Sequence, residues 1–407
     1  MSQGLVVVGG SYAAAQIAAS AREQGYAEPI RIVSEEPRGP YQRPPLSKGY
    51  LAGKVPPAAL PLRSEAFYRD SKVKLILGAR AESIDLPGQS VVLSDGQRLA
   101  FDRLALTTGA RPRPLPVPGG DLEGVLFLRS LTDADALRTR LAEATDVVIV
   151  GAGFIGLEFA SVAVAAGKKV TVVEMQDRVL ARAVAPGLAA FIADVHRAKG
   201  LDIRLGATVK ELRGNRRVES VICGDGTSIR ADLVLLAIGV IPNVELAQAA
   251  GLACQDGIIV DRFAATSDPR IVSAGDCTRH PSAYADQPLR LESVQNALDQ
   301  AKTAAATISG VVKPYDTVPW FWSDQYDLKL QMVGLAAGHD SAVTRGTPSD
   351  GRFSVFYYRR GRLIAVDSVN KPGEHMLGRK LLTARLSPTP EQAADSGFDL
   401  QGLMAKA

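Results

Sequence analysis

At 407 residues the chain is longer than one hydrophobic core usually serves, so two or three domains are expected. Its 46% apolar and 22% charged residues describe a globular protein. No stretch approaches the ~18 uninterrupted apolar residues of a membrane span, and the start lacks the basic region and cleavage site of an export signal, so a cytoplasmic location is expected. The net charge of +4 is too small to argue for nucleic acid. Cys223, Cys254 and Cys277, spaced 31 and 23 residues apart, offer neither a zinc motif nor a redox dithiol, and the histidines are equally scattered; no metal site is expected.

In chain order, Leu5 to Val8 reads as a strand and runs into Gly9-Gly10-Ser11-Tyr12-Ala13-Ala14, a degenerate glycine fingerprint with Ser11 at the second glycine position and Ala14 at the third. A helical pattern to Gln24 and an apolar run from Ile30 to Val33, closed by Ser34-Glu35-Glu36, complete a βαβ unit. Glu35 is the expected ribose-binding acid, with Glu36 beside it. Pro37 to Lys48, PRGPYQRPPLSK, is too rich in proline for helix or central strand and reads as a stiff loop. It either fixes Arg43 and Lys48 in place or carries them as solvated cations.

The sharpest motif lies further on. Val147 to Val150, then Gly151-Ala152-Gly153-Phe154-Ile155-Gly156, an Ala-rich helical pattern, Val170 to Val173 and Glu174 form a second βαβ unit with a full dinucleotide fingerprint. Gly151 permits the tight turn, Gly153 lets the backbone approach a pyrophosphate, and Gly156 lets helix and strand pack closely, so the helix N-terminus faces the phosphates. Glu174 follows Gly156 by 18 residues. That is near the ~20 expected of an acid on the ribose 2'-hydroxyl.

An internal repeat links the two units. Asp95-Gly96 and Asp225-Gly226 are each followed, seven residues after the aspartate, by another aspartate, Asp102 or Asp232, that opens an apolar strand; seven more lead to Gly109 and Gly239. Both halves read as βαβ, a small antiparallel excursion, and a strand ending in Gly-x-x-Pro, as two related nucleotide-binding domains would. Beyond them, a short strand precedes Gly275-Asp276, whose carboxylate is either a ligand for the hydroxyls of a ribityl chain or a helix N-cap, since 291 to 308 has helical character. From Val318 alternating runs, VPWFWSDQYDLKLQMVG first, indicate a third, α+β domain. Core packing is the ordinary role for Trp320 at such a position.

Together RPPLSK, VGAGFIGLE, the GD segment and VPWFWSDQY resemble the FAD-dependent NADH:ferredoxin reductases of oxygenase systems, relatives of the glutathione reductase fold, over essentially the whole chain. The resemblance implies two Rossmann-like α/β domains and a C-terminal α+β domain. The FAD-binding domain would be discontinuous, residues 1–115 and 244–315, around an NAD-binding domain, 116–243, with 316–407 as the third. FAD would meet Gly9, Ser11, Ala13, Ala14, Glu35, Arg43, Lys48, Ala81, Arg129, Asp276, Val294 and Trp322. NADH would meet Gly151, Gly153, Gly156, Glu174 and Gly239, Glu174 favouring NADH because a carboxylate repels a 2'-phosphate. Arg178 and Arg182 lie nearby in sequence.

The implied reaction is hydride transfer from NADH to FAD, then single electrons to an acidic 2Fe-2S ferredoxin that supplies a cytochrome P450, with a Rieske-type aromatic-ring dioxygenase system as the alternative. Lys48, Glu158 and Trp322 are the expected catalytic residues, Lys48 pairing with Glu158, and Arg63 and Lys302 the candidates for a basic docking face. Of the competing readings, a dithiol-disulfide reductase is excluded by the missing CxxC. A redox sensor like apoptosis-inducing factor shares the fold, and the VPWFWSDQY segment favours the electron-transfer role; a peroxide-forming NADH oxidase activity, which needs only flavin and oxygen, stays open as a side reaction.

Overall fold

The structure, a computed structural model, describes residues 2–404. Its chain forms two compact units: Met1–Gln42, Ala58–Arg111 and Ile241–Pro319 in one, Arg43–Pro57, Pro112–Val240 and Trp320–Ala407 in the other.

The first unit is built on a five-stranded sheet in the order Ile271–Ser273, Arg103–Leu106, Leu5–Val8, Ile30–Ser34, Val73–Leu77, with every neighbour parallel. Both faces are covered, which is why Leu5, Val6 and Val7 are all fully buried instead of alternating. The helix Tyr12–Glu23 packs against Val294–Ile308 through small side chains, Ala14, Ala18 and Ala21 sharing a core with Ala301, Ala304 and Ala305. That second helix is capped by Ser293, whose hydroxyl accepts the Asn296 amide at 3.0 Å, so the N-cap role open to Asp276 belongs to Ser293. Nearby, His280 is 1% exposed, edge-on to Tyr315 at 5.1 Å, and neither ring nitrogen has a hydrogen-bond partner among the described residues. Burial pushes its pKa down to about 4.

The second unit repeats the plan. Its parallel sheet runs Asp202–Arg204, Lys169–Val173, Asp146–Val150, Leu233–Leu236, Val125–Leu126. Each unit adds a three-stranded antiparallel excursion, 81–100 and 209–230, and the register slips at the same place in both, between Ala81 and Ser83 and between Val209 and Glu211. The repeated aspartates have the same task. Asp102 accepts the Gln3 and Gly4 amides, each at 2.8 Å, and Asp232 accepts those of Thr145 and Asp146, each at 3.0 Å, so each carboxylate holds the start of the neighbouring central strand.

The C-terminal part is a five-stranded antiparallel sheet, ordered Trp320–Gln325, Leu328–Gly334, Arg362–Val369, Arg352–Arg359, Ser341–Thr347, with the helix Pro372–Thr383 across it. It shares one core with the preceding segment: Leu188 and Ile192 cluster with Phe353, Val355 and Tyr357, and the Phe191 and Phe353 rings meet edge to face at 4.9 Å. Residues 116–240 and 320–407, the bulk of the two segments expected as separate domains, therefore sit in one unit, and residues 43–57 join them there. Within it Asp367 is buried, accepts the Tyr357 hydroxyl at 2.7 Å, and is pushed up to about 7 by desolvation. The proline-rich loop contains a feature the composition argued against, a single 3₁₀ turn over Pro44–Ser47, which proline at the first position suits through its fixed φ.

Candidate active site

The two glycine turns differ in what enforces them. In the first, Gly9 has φ +116° and a Cβ there would fall 2.1 Å from the Thr107 carbonyl oxygen, while one on Gly10 would fall 2.3 Å from the Ser34 hydroxyl. In the second, Gly151 has φ +104° with a Cβ 2.5 Å from Ala237 O, and one on Gly156 would lie 2.2 Å from Gly151 O. The fold itself demands these residues. Gly153 is different: a Cβ there would meet nothing of the protein within 4 Å. Its lack of a side chain leaves room for a ligand at the N-terminus of Phe154–Ala165, where the free amides and helix dipole favour phosphate. Ser11 holds the same N-cap position in the first unit as Gly153 does in the second, and Ala13 and Ala14 are buried behind it. Both cradles fit a dinucleotide.

Other expected residues of the first unit are more open. Glu35 is exposed and 3.7 Å from Arg80, and Glu36 accepts the Tyr41 hydroxyl at 2.5 Å. Ala81 starts the bulged strand of the excursion, and Val294 is the first residue of its helix. Asp276, half-buried, follows Gly275, a glycine at φ +92°. Sequence reasoning missed Gln300, whose side-chain oxygen accepts both the Gly275 amide and the Thr278 hydroxyl at 2.8 Å and so fixes this turn.

In the second unit the fold brings Lys48 and Glu158 together. Lys48 Nζ lies 2.7 Å from Glu158 Oε2, with the lysine side chain 19% exposed and the glutamate 2%. Glu158 points inward from the fingerprint helix, and Ser47 and Ser323, both missed from the sequence, donate to its two oxygens at 2.5 and 2.6 Å. Alternation along Trp320–Gln325 was the available signal for Ser323: it and Gln325 are buried while Trp320, Trp322 and Asp324 are half-buried. Trp320 is thus no core residue. Its ring lies 5.6 Å from that of Trp322 and under the Arg379 guanidinium at 5.0 Å. Arg43 donates to the Arg129 carbonyl at 2.7 Å, so these two expected residues also meet.

Glu174 accepts the backbone amides of Ala152 at 2.7 Å and Gln176 at 2.8 Å. Arg178 is engaged with Asp177 and the Ala181 carbonyl, whereas Arg182 is exposed near Gly239, which has φ +101°. Of the docking candidates, Lys302 pairs with Asp299 at 2.8 Å and Arg63 lies over the Phe67 ring at 5.3 Å. Among the described residues no cluster of His, Cys, Asp and Glu is arranged for a metal ion, and no helix is long and apolar enough to cross a membrane.

Paired glycine cradles in repeated parallel sheets define a dinucleotide-binding oxidoreductase, and the chain belongs to the pyridine nucleotide-disulphide oxidoreductase family, which it matches over residues 3–301, followed by a reductase C-terminal domain over 320–404. It is 43% identical to rhodocoxin reductase of Rhodococcus erythropolis, over 99% of this chain and 94% of that one. To putidaredoxin reductase of Pseudomonas putida it is 42% identical, over 99% and 97%. The solved covalent putidaredoxin reductase–putidaredoxin complex superposes with a TM-score of 0.96 at 41% identity, covering 99% and 98%. The ferredoxin reductase of the CYP199A2 system of Rhodopseudomonas palustris gives 0.95 at 46% identity, covering 98% and 99%. The protein is a flavoprotein ferredoxin reductase that uses FAD and NADH and has a ferredoxin as its partner.

Proposed function

We propose that this reductase carries electrons from NADH through FAD to an acidic 2Fe-2S ferredoxin that serves a cytochrome P450 in the cytoplasm. The observation behind the reading is the Lys48–Glu158 pair, in which a buried carboxylate on the helix of the second dinucleotide cradle meets a cation from the proline-rich loop. The R. palustris relative's name, with its CYP199A2 system, supports the P450 assignment. FAD, when bound, accepts two electrons as hydride and returns them one at a time.

The chain's part is to bind and orient. Gly9, Ser11, Ala13 and Ala14 present backbone to the FAD pyrophosphate, Glu35 and Asp276 take hydroxyls, and Ala81, Val294, Arg43 and Arg129 flank the cofactor. Gly151, Gly153, Gly156 and Gly239 hold NADH, with Glu174 on its ribose. Lys48 and Glu158 order the site of hydride transfer, Trp322 attends electron exit, and Arg63 and Lys302 help steer the ferredoxin. In the proposed domain scheme 1–115 with 244–315 binds FAD, 116–243 binds NAD, and 316–407 is the C-terminal α+β domain that carries Trp322.

The test is NADH oxidation by the purified holoenzyme, read as cytochrome c reduction with and without a 2Fe-2S ferredoxin encoded in the same genome, then with that genome's P450s. Strong dependence on the ferredoxin and turnover of a P450 are expected. Electrons reaching only a Rieske-type oxygenase would overturn the P450 assignment. Trp322→Ala should lower ferredoxin reduction at unchanged flavin content, and a ferredoxin KM indifferent to salt would remove the basic docking face.

A further inference from the structure

Glu158 stands at the end of a buried chain of side chains whose hydrogen bonds have only one consistent direction. Ser323 Oγ is 2.6 Å from Glu158 Oε1, Gln325 Nε2 is 3.1 Å from Ser323 Oγ, and His196 Nε2 is 2.8 Å from Gln325 Oε1. Ser323 and His196 are fully buried, Gln325 and Glu158 2% exposed. A carboxylate has no proton to give, so the single proton of Ser323 points at Glu158. Ser323 must then accept, which turns the Gln325 amide N–H toward it and the amide oxygen toward His196. An amide oxygen only accepts, so His196 carries its proton on Nε2. Its Nδ1 is left as an acceptor and has no partner among the described residues. Burial lowers the pKa of this ring and keeps it neutral.

Every donor in the chain thus points toward the negative charge, and polarised chains of this kind strengthen each bond in them. The strand Trp320–Gln325 is distant in sequence from the two helices it links, the fingerprint helix and Pro186–Ala198. Lys48 and Ser47 engage the other oxygen, Oε2, so the relay fixes the carboxylate's rotation without competing for its cation.

We propose that Ser323, Gln325 and His196 are positioning residues for Glu158, a one-way hydrogen-bond relay that holds its carboxylate against Lys48 in the geometry hydride transfer requires. The proposal rests on the role given above to the Lys48–Glu158 pair. A network that only braced the fold would depend neither on Glu158 nor on the direction of its protons.

The experiment is stopped-flow reduction of the holoenzyme by NADH in Ser323→Ala, Glu158→Gln and the double variant. Ser323→Ala should slow the limiting rate by about tenfold, the worth of one hydrogen bond to a charged group, with the NADH dissociation constant held within about twofold. In the Glu158→Gln background the same substitution should cost nothing further. A slow Glu158→Gln enzyme beside an unaffected Ser323→Ala, or equal losses in both backgrounds, would overturn the relay and leave the pair's role standing. A Glu158→Gln enzyme as fast as the parent would overturn both. Independently of turnover, ¹⁵N NMR of the histidine-labelled parent holoenzyme should find His196 neutral and protonated at Nε2; the Nδ1 tautomer or an imidazolium would overturn the proton order.

Discussion

The Glu174 carboxylate accepts the amide of Ala152 at 2.7 Å, so the acid that closes the second βαβ unit is tied to the glycine turn that opens it. The same residue therefore shapes the turn and, in the role proposed for it, presents the charge that selects the nucleotide. Glu174→Ala should lower kcat/KM for NADH by about tenfold, the loss of a charge-assisted hydrogen bond, and raise the NADPH-to-NADH ratio through the loss of repulsion. Equal kcat/KM for both nucleotides in the parent enzyme would contradict the assignment.

Removing Lys48 leaves Glu158 buried with two hydroxyl donors and no cation. A buried charge stripped of its partner is costly. Lys48→Met should slow flavin reduction by NADH by about tenfold or more and lower the melting temperature, since part of that cost falls on folding. An unchanged stopped-flow rate would take Lys48 out of the mechanism.

Asp367 titrates near 7 in the fold, against an ordinary value near 4, because burial disfavours its charge. Its folded pKa is raised, so the protonated form's contribution to stability is full below the unfolded pKa and is lost as pH rises through about 7. Asp367→Asn keeps an oxygen to accept the Tyr357 hydroxyl and has nothing to ionise. The variant should melt higher than the parent at pH 8, with the gap closing toward pH 5; a gap independent of pH would argue against the shift.

Asp232 shows the opposite sign. Hydrogen bonds from the Asp146 and Thr145 amides lower its pKa, so the stability it adds is present above the ordinary carboxylate pKa and lost as pH falls through the lowered one. Asp232→Ala should lower the melting temperature at neutral pH and matter less in acid. Hydrogen exchange at the Thr145 and Asp146 amides is the local readout, and it should accelerate.

How far the sequence reached depended on whether a residue's role was local. Gly9, Gly151 and Gly156 were legible because a turn of a few residues dictates them, and the spacing from Asp225 to Asp232 to Gly239 exposed the duplicated sheet plan. The N-cap Ser293, three residues into the expected helix, and the 3₁₀ turn at Pro44 show where capping and proline chemistry overrode periodicity and composition. Ser47 and His196 were not legible at all, and strand alternation could mark only the burial of Ser323 and Gln325, not their partners. Each meets its partner across more than a hundred residues of chain, and serine, glutamine and histidine carry no pattern that announces such a partner. Only the resemblance pointed to Lys48 and Glu158 as a pair.

The ring nitrogens of His280, which have no hydrogen-bond partner among the described residues, make this position a lever for making a hardier enzyme. Between the ordinary histidine pKa and about 4 the unfolded chain takes up a proton there that the folded one refuses, so acid draws the equilibrium toward unfolding. His280→Phe would keep the edge-on contact with Tyr315 and abolish that proton uptake. Storage and turnover in mildly acidic media should improve first, with little change at pH 8, from a substitution that touches none of the residues assigned to either nucleotide.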